Sequence, residues 1–213
     1  MRMPKLDARL QAVAALFTPC ESGADIGADH GRLSCYLLAQ DICKKMFVTD
    51  ISAGSLKKAE QLLKRHDLDQ RAVFYAGDGF DALPQPVDCA AICGMGGRTI
   101  SAILKKAAGK IKNADLVVSG QTEIPLLRKT IQDIGYNIAD ERIAYDAGRY
   151  YIIILAKHGA AQYGEKELYF GPVLMRDKPD LWKEYLQWRL GVVGQEKGHE
   201  MQLEWIKEEL ECV

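Results

Sequence analysis

Short apolar runs alternate with amphipathic stretches from residue 24 to residue 156. Seven of these runs have the length and apolar content of buried strands: Ala24–Ile26, Met46–Thr49, Val73–Ala76, Cys89–Cys93, Leu116–Ser119, Asn137–Ile143 and Tyr150–Ala156. The first five end in small or acidic residues, and a stretch with helical spacing follows each of them, as in Ser52–Lys64 and Thr99–Lys110. This alternation predicts an α/β fold with a doubly wound parallel sheet.

A tight turn at Asp146–Gly148 separates the last two runs. A connection this short joins antiparallel strands, so the two runs predict a hairpin at the end of the sheet. A parallel sheet that finishes in an antiparallel hairpin is the sheet of class I methyltransferases. It differs from the all-parallel sheet of dinucleotide-binding proteins.

The pattern changes after Lys157. Residues 158–172 have the composition of a linker, and residues 179–193 and Met201–Leu210 then show helical spacing, interrupted by Gly194 and Gly198. We therefore predict a sheet domain over residues 1–158. A small helical hairpin or coiled coil over residues 159–213 is too short to fold on its own core.

Composition and charge exclude several classes of protein. The chain has 213 residues, 48% of them hydrophobic, which excludes disorder, and its net charge of −1 excludes a globally basic nucleic-acid binder. No apolar stretch approaches the roughly 18 residues of a membrane helix, and Asp7 interrupts what would be a signal peptide. Six cysteines without a CxxC pair or a histidine at ligand spacing predict free thiols, no metal and a cytoplasmic location.

Acidic and glycine residues follow the first three strands. Ligands of α/β sheets bind beyond the carboxyl ends of the strands, and the missing G-x-G-x-x-G pattern argues against a pyrophosphate there. The carboxylates of Asp25 and Asp29 would instead attract an ammonium or a sulfonium, both of which S-adenosylmethionine carries. Asp50 stands where an acid accepts from ribose hydroxyls, and Asp78 where it would receive an adenine amine. Each segment is also compatible with a simple helix cap or polar turn.

Glycines and an amide follow the fourth and fifth strands. Gly94, Gly96 and Gly97 would let a flat ligand lie against the backbone, or would only pack the next helix. Gln121 could pair with a purine edge, or belong to a helix cap.

Four segments resemble the bacterial tRNA (adenine(22)-N1)-methyltransferase family: DIGADHGRLSCYLL, VTDISAGSLKKAEQLL, GDGFDAL and CGMGGRTI. The resemblance extends over nearly the whole chain, including Leu168–Leu186. It implies a Rossmann-like methyltransferase domain with a small helical coiled-coil domain. It also implies transfer of a methyl group from S-adenosylmethionine to N1 of an adenine in tRNA, with S-adenosylhomocysteine as product and no metal.

The resemblance also assigns roles to individual residues. The cofactor-binding positions are Asp25, Gly27, Asp29, His30, Asp50, Ile51, Gly77, Asp78, Gly79, Gly94, Met95, Gly96 and Gly97. Asp29 matches a carboxylate that faces the transferable methyl group, and Gln121 stands near the family's Gln-Pro-Asn segment; both are predicted to be catalytic. The chain departs from the family at Arg32–Ser34, where an aromatic residue and Leu-Pro are usual, and at Ser119–Gln121.

A local basic region provides a candidate RNA surface. Between positions 98 and 129 there are seven basic residues and two acidic ones; the basic residues are Arg98, Lys105, Lys106, Lys110, Lys112, Arg128 and Lys129. This cluster predicts contacts with a tRNA backbone, with a solvated helix face as the alternative. Arg32 would stack on the target base. Trp182, Trp188 and Trp205 indicate core or dimer contacts, in a monomer or weak homodimer.

Three other functions remain open from the sequence. The methyl acceptor could be another RNA position, a small molecule or a protein. A non-catalytic module that binds the cofactor or its product is a second possibility. A nicotinamide oxidoreductase is the third, and the acidic first loop argues against it.

Overall fold

The computed structural model describes residues 4–111, 113–195 and 198–213. Its sheet contains seven strands: β1 Cys20–Ile26, β2 Cys43–Asp50, β3 Ala72–Ala76, β4 Cys89–Met95, β5 Asp115–Gly120, β6 Tyr136–Asp146 and β7 Arg149–His158. The helices of the described residues are α1 Ala8–Leu16, α2 Arg32–Ala39, α3 Ala53–Arg65, α4 Gly97–Ala107, α5 Ile124–Asp133, α6 Glu165–Phe170, α7 Pro172–Asp177, α8 Trp182–Val193 and α9 Glu200–Glu211. Short 3-10 turns occupy Asp69–Arg71 and Gly79–Ala82.

The strand order is β3-β2-β1-β4-β5-β7-β6. Strands β1 to β5 pair in parallel, and β7 pairs antiparallel with both β5 and β6. All seven predicted strands and the terminal hairpin are therefore confirmed. The order reverses between β1 and β4, and the carboxyl ends of these strands open a crevice for a ligand there.

Each face of the sheet carries its own apolar layer, because neighbouring residues of a strand point to opposite faces. Helices α1, α2 and α3 cover one face, and α4, α5 and the C-terminal helices cover the other. Ile26, for instance, packs in the layer beneath α4, α5 and the C-terminal helices, whereas Val48 packs in the layer beneath α1, α2 and α3. Burial on both faces explains why the strands are nearly continuous apolar runs.

The segment predicted to be a linker is partly helical, and that prediction is wrong. Helices α6 and α7 lie within and just after it, and Phe170, Val173 and Leu174 are buried in the same apolar layer as the sheet. Helices of six residues are too short to give a clear periodic signal. The predicted helical hairpin is confirmed as α8 and α9, and its buried residues join the same layer. The division at residue 158 remains a prediction.

The six cysteines are all free thiols, as predicted. The Sγ atoms of Cys20 and Cys43 lie 3.3 Å apart at the amino ends of β1 and β2. Within the described residues, no group of three or more histidine, cysteine or acidic side chains could hold a metal ion. The helices of the described segments are likewise too short or too polar to cross a membrane.

Candidate cofactor and active site

One cavity of about 670 Å³ opens at the carboxyl edge of the parallel strands. This volume is typical of sites for small organic ligands. Most of the predicted site residues line it: Asp25, Gly27, Asp29, His30, Arg32, Asp50, Ile51, Gly77, Asp78, Gly79, Gly94, Met95, Gly96 and Gln121. The tertiary structure therefore brings five strand ends together around one space.

The first loop is held against the end of β2. The backbone N–H groups of Gly27 and Ala28 both donate to the Thr49 carbonyl at 2.9 Å. The carboxylate of Asp50 accepts from the backbone N–H of Asp29 at 3.0 Å and from that of Ser52 at 2.8 Å. The cap of α3 is the Ser52 hydroxyl, so the alternative of Asp50 as the helix cap is wrong. Asp50 instead fixes the loop that carries Asp29.

Asp29 presents its carboxylate to the cavity. Its backbone has a φ of 49°, and its side chain is 69% exposed. Nδ1 of His30 lies 2.7 Å from Oδ2 of Asp29, so the ring orients the carboxylate when that nitrogen carries the proton. Asp is among the few residues that adopt this left-handed conformation readily. The loop is therefore built to project an ionisable group.

The end of β3 forms a second compartment. The exposed side chain of Ile51 (80%) and the Gly77–Gly79 segment line this part of the cavity, and Nζ of Lys106 lies 3.3 Å from the Asp78 carboxylate. A smaller space of about 250 Å³ adjoins it between Asp78 and α4. An apolar side chain beside a carboxylate suits a flat ring that carries an amine.

The glycine segment after β4 divides into two parts. Gly94 and Gly96 line the cavity, and Gly94 has a φ of 81°. Gly97 is buried and does not line the cavity. A Cβ there would approach the Thr122 carbonyl to 2.3 Å. Its N–H donates to that carbonyl at 2.9 Å. The structure does not bring Gly97 into the cavity; this glycine packs two loops together.

Helix α1 adds residues that the sequence interpretation missed. Asp7, Arg9 and Leu10 line the cavity, and the Arg9 guanidinium lies 5.5 Å from the ring centroid of Tyr151 on β7. Nη1 of Arg9 is 3.3 Å from where a Cβ at Gly94 would stand. Arg9 makes no ion pair with another described residue. The apolar spacing of the N-terminal residues signals a helix, but not that it crosses a cavity edge.

The family model described as "Methyltransferase domain" matches residues 6–154. The chain belongs to this methyltransferase family. The match covers the sheet except for the last four residues of β7, and it covers every loop that lines the cavity.

More specific relatives include a protein named as a tRNA methyltransferase. The tRNA (adenine(22)-N(1))-methyltransferase of Bacillus subtilis is 27% identical over 195 residues, 86% of this chain and 82% of that protein. A Streptococcus pneumoniae protein crystallised with S-adenosyl-L-methionine is 25% identical, with a TM-score of 0.89 over 97% of this chain and 100% of that one. M. capricolum TrmK with S-adenosyl-homocysteine is 25% identical, with a TM-score of 0.79 over 99% and 96% of the two chains. The predicted membership in the tRNA (adenine(22)-N1)-methyltransferase family is confirmed; the coiled coil remains a prediction.

The predicted RNA surface of this methyltransferase is largely paired with acids. Arg98 pairs with Glu123, Lys106 with Asp78 and Asp81, Lys110 with Asp81, and Lys129 with Asp133. Lys105 is exposed and makes no ion pair with a described residue, and Lys112 lies outside the described residues. Arg32 stands at the cavity mouth and donates to the Lys5 carbonyl. The surface is therefore less positive than the residue count indicates.

Arg128 is wrongly predicted to contact RNA. Its side chain is buried, with an exposure of 0%, and its Nε donates to Glu141 on β6 at 2.8 Å. Its two terminal nitrogens donate to the carbonyl groups of Leu168, Tyr169 and Phe170 at the end of α6. The sequence around Arg128 does not show that its partner is Glu141, which lies 13 residues further along the chain on another element. Arg128 fastens the C-terminal helices to the sheet.

The buried carboxyl of Asp25 should make stability depend on pH. Burial raises its pKa from an ordinary 3.8 to about 6, while a hydrogen bond from the Ser34 hydroxyl at 2.7 Å opposes this shift. Between these values the folded chain holds a proton that the unfolded chain has released. The free energy of unfolding of the ligand-free protein should therefore fall by on the order of 3 kcal/mol as the pH rises from about 4 to 6, and then level off.

Chemical denaturation across this pH range, compared with the Asp25→Asn variant, isolates the effect of Asp25. The difference in free energy of unfolding between the parent protein and Asp25→Asn should show this dependence on pH, since the amide does not titrate. In Ser34→Ala the fall in the free energy of unfolding should extend to higher pH. The pKa of Asp25 rises there because the hydrogen bond from the Ser34 hydroxyl, which favours the ionised carboxylate, is lost. A pH-independent difference between Asp25→Asn and the parent protein would contradict the assignment.

Proposed function

We propose that this protein transfers the methyl group of S-adenosylmethionine to N1 of an adenine in tRNA, at position 22. The observation that carries the proposal is the acid- and glycine-lined cavity of about 670 Å³ at the carboxyl edge of a methyltransferase sheet. Relatives over most of the chain include a tRNA (adenine(22)-N(1))-methyltransferase. No separate observation favours a different acceptor, a non-catalytic module or a nicotinamide enzyme.

The charges around the cavity support a specific placement of the cofactor. Asp25 would take the α-ammonium group, and Arg9, which has no ion-pair partner among the described residues, would take the α-carboxylate. Asp50 retains free lone pairs after its two backbone bonds and would accept from the ribose hydroxyls. The adenine would lie against Ile51, with its amine toward Asp78.

Methyl transfer is an in-line displacement in which positioning provides much of the acceleration. The lone pair of adenine N1 forms a bond to the methyl carbon as the carbon–sulfur bond breaks, and the electron pair of that bond stays on sulfur. The sulfonium charge disappears and the adenine ring becomes cationic, so N1 needs no deprotonation before attack. The Asp29 carboxylate would stabilise the ring charge as it develops, and the Gln121 amide would orient the base edge.

The adenine must leave its base pair before N1 can react. The cavity mouth beside Arg32 would receive the extruded base, and a guanidinium can stack on its ring. Arg98, Lys105, Lys106 and Lys129 would follow the tRNA backbone. Arg98, Lys106 and Lys129 would exchange their present acid partners for phosphates, and Lys105 would meet a phosphate directly. A tRNA substrate would place the protein in the cytoplasm. The monomer or weak homodimer stays a prediction from the sequence.

Mass spectrometry of tRNA nucleosides after incubation with the protein and S-adenosylmethionine tests this function. We expect 1-methyladenosine in a transcript with adenine at position 22 and none in the matched transcript with guanine there. Methyl label in another nucleoside would assign a different RNA acceptor. Cofactor binding without transfer to any RNA would contradict the enzymatic function, and absence of cofactor binding would contradict the cavity assignment.

A further inference from the structure

The β6–β7 hairpin stands beside the cofactor cavity. Strand β7 pairs antiparallel with β5, with Val118 opposite Ile154, so the turn between β6 and β7 extends beyond the carboxyl end of β5. That end carries Gln121, which lines the cavity. Tyr151 near the start of β7 lies against Arg9, which also lines the cavity. The hairpin is therefore a wall of the region where a large substrate would approach.

An aromatic cluster lies on the other face of this hairpin. Tyr145 and Tyr150 are opposite each other on β6 and β7, with ring centroids 4.8 Å apart. The Trp188 ring of α8 lies 5.4 Å from Tyr150 and 5.9 Å from the buried Tyr185. We call Tyr145, Tyr150 and Trp188 the aromatic platform. The platform connects the hairpin to the C-terminal helices.

Exposure distinguishes the platform from the other aromatic side chains. Tyr145 is 50% exposed and Trp188 is 40% exposed. Every other tyrosine, tryptophan and phenylalanine in the described part of the chain is buried or half-buried. The exposed rings are thus confined to one patch, and that patch stands at the edge of the sheet that holds the cavity. Contiguous exposed rings at such a place are typical of a contact surface.

Charges of both signs lie beside the platform, since Asp146 stands opposite Arg149 in the hairpin and the Glu184 carboxylate of α8 acts on Tyr150. Arg149 at the start of β7 is exposed and makes no ion pair with any described residue. It follows the hairpin turn and directly precedes Tyr150. A free cation next to exposed rings is the combination that binds single-stranded nucleic acid, because the rings stack on bases and the cation meets a phosphate.

We propose that the aromatic platform stacks on unpaired bases of the tRNA substrate near the methylated adenine. This inference rests on the proposed function, which requires an adenine freed from pairing and so leaves neighbouring bases with open faces. Tyr145 and Trp188 provide the stacking surfaces, Tyr150 holds them together, and Arg149 contacts the adjacent phosphate. The platform would thereby position the tRNA without touching the cofactor.

The test measures tRNA binding directly, in the presence of S-adenosylhomocysteine, with Tyr145→Ala and Trp188→Ala variants of the full chain. Each should weaken the Kd for tRNA by about tenfold, as expected for loss of one stacked base. Tyr145→Phe should bind like the parent protein, because the ring is kept. Val192→Ala removes an exposed apolar side chain one turn beyond Trp188 and is the matched control, with no expected change.

The Kd for S-adenosylhomocysteine should stay constant in all four variants. Binding of tRNA is measured well below the melting temperature of Trp188→Ala, which loses its packing against Tyr150 and Tyr185. An unchanged Kd for tRNA in both alanine variants would overturn the proposal. A loss of self-association in sedimentation, with tRNA binding intact, would overturn it in favour of a contact between two copies of the chain. If the parent protein methylates no tRNA but the alanine variants still weaken tRNA binding, the proposed function fails and the platform remains supported.

Discussion

Asp29→Asn should lower kcat for methyl transfer by about 100-fold or more, the scale at which loss of preorganised electrostatic stabilisation acts. The variant keeps the size of the side chain but removes the negative charge that would face the developing cation. Asn tolerates the left-handed conformation at this position, whereas Ala would strain the loop as well. Single-turnover methylation at saturating cofactor and tRNA measures the effect on the chemical step.

The Kd for S-adenosylhomocysteine is the control for Asp29→Asn. It should change little, because the bond from residue 29 to Asp50 comes from the backbone N–H, which the variant retains. His30→Gln should have a smaller effect on kcat, since His30 only orients the carboxylate. Turnover of Asp29→Asn at the parent rate would remove Asp29 from the mechanism.

Arg128→Met should lower the free energy of unfolding by about 3–5 kcal/mol, the cost of leaving one partner of a buried ion pair alone. The variant leaves the buried Glu141 carboxylate, which also accepts from the Val173 N–H at 3.1 Å, without its cationic partner. Three carbonyl groups of α6 also lose a hydrogen-bond donor. Urea denaturation monitored by tryptophan fluorescence measures the loss of stability, since Trp182 is buried in the apolar layer between the sheet and the C-terminal helices.

Lys129→Met is the matched control for Arg128→Met. Its ion pair with Asp133 is exposed on the next position of the same helix, so the change should stay within about 1 kcal/mol. Adding Glu141→Gln to Arg128→Met should recover part of the loss, because a neutral amide needs no counter-charge. A free energy of unfolding equal to that of the parent protein would show that Arg128 does not fasten the C-terminal helices.

The strands and their order of appearance were predictable because burial on both faces of a sheet leaves continuous apolar runs. The hairpin was predictable from the turn at Asp146–Gly148. Helices α6 and α7 were not, since each has six residues and too few turns to show a period. Their docking depends on Arg128, whose environment is set by partners far away in the chain.

The candidate site, like the fold, has parts that were predictable from the sequence and parts that were not. Acidic and glycine residues that follow parallel strands must meet at one edge of the sheet. Their convergence could therefore be predicted from the order of strands and loops along the chain. Gly97 has the same local pattern as Gly94 but packs against Thr122, and only the contacts between loops decide this. Arg9 enters the cavity from a helix outside the alternating pattern, and no local signal specifies that position.

The α/β class, the strand edge that holds the cavity and the family can be read from the amino-acid sequence, because these follow from local periodicity and from residues adjacent in the chain. Which charges are free depends on how the chain folds. Folding pairs most of the predicted basic surface with acids, buries Arg128 and brings Tyr145, Tyr150 and Trp188 together at the surface. The physical reason is that a charge or a ring acquires its role from partners brought close by folding, and those partners are distant in sequence.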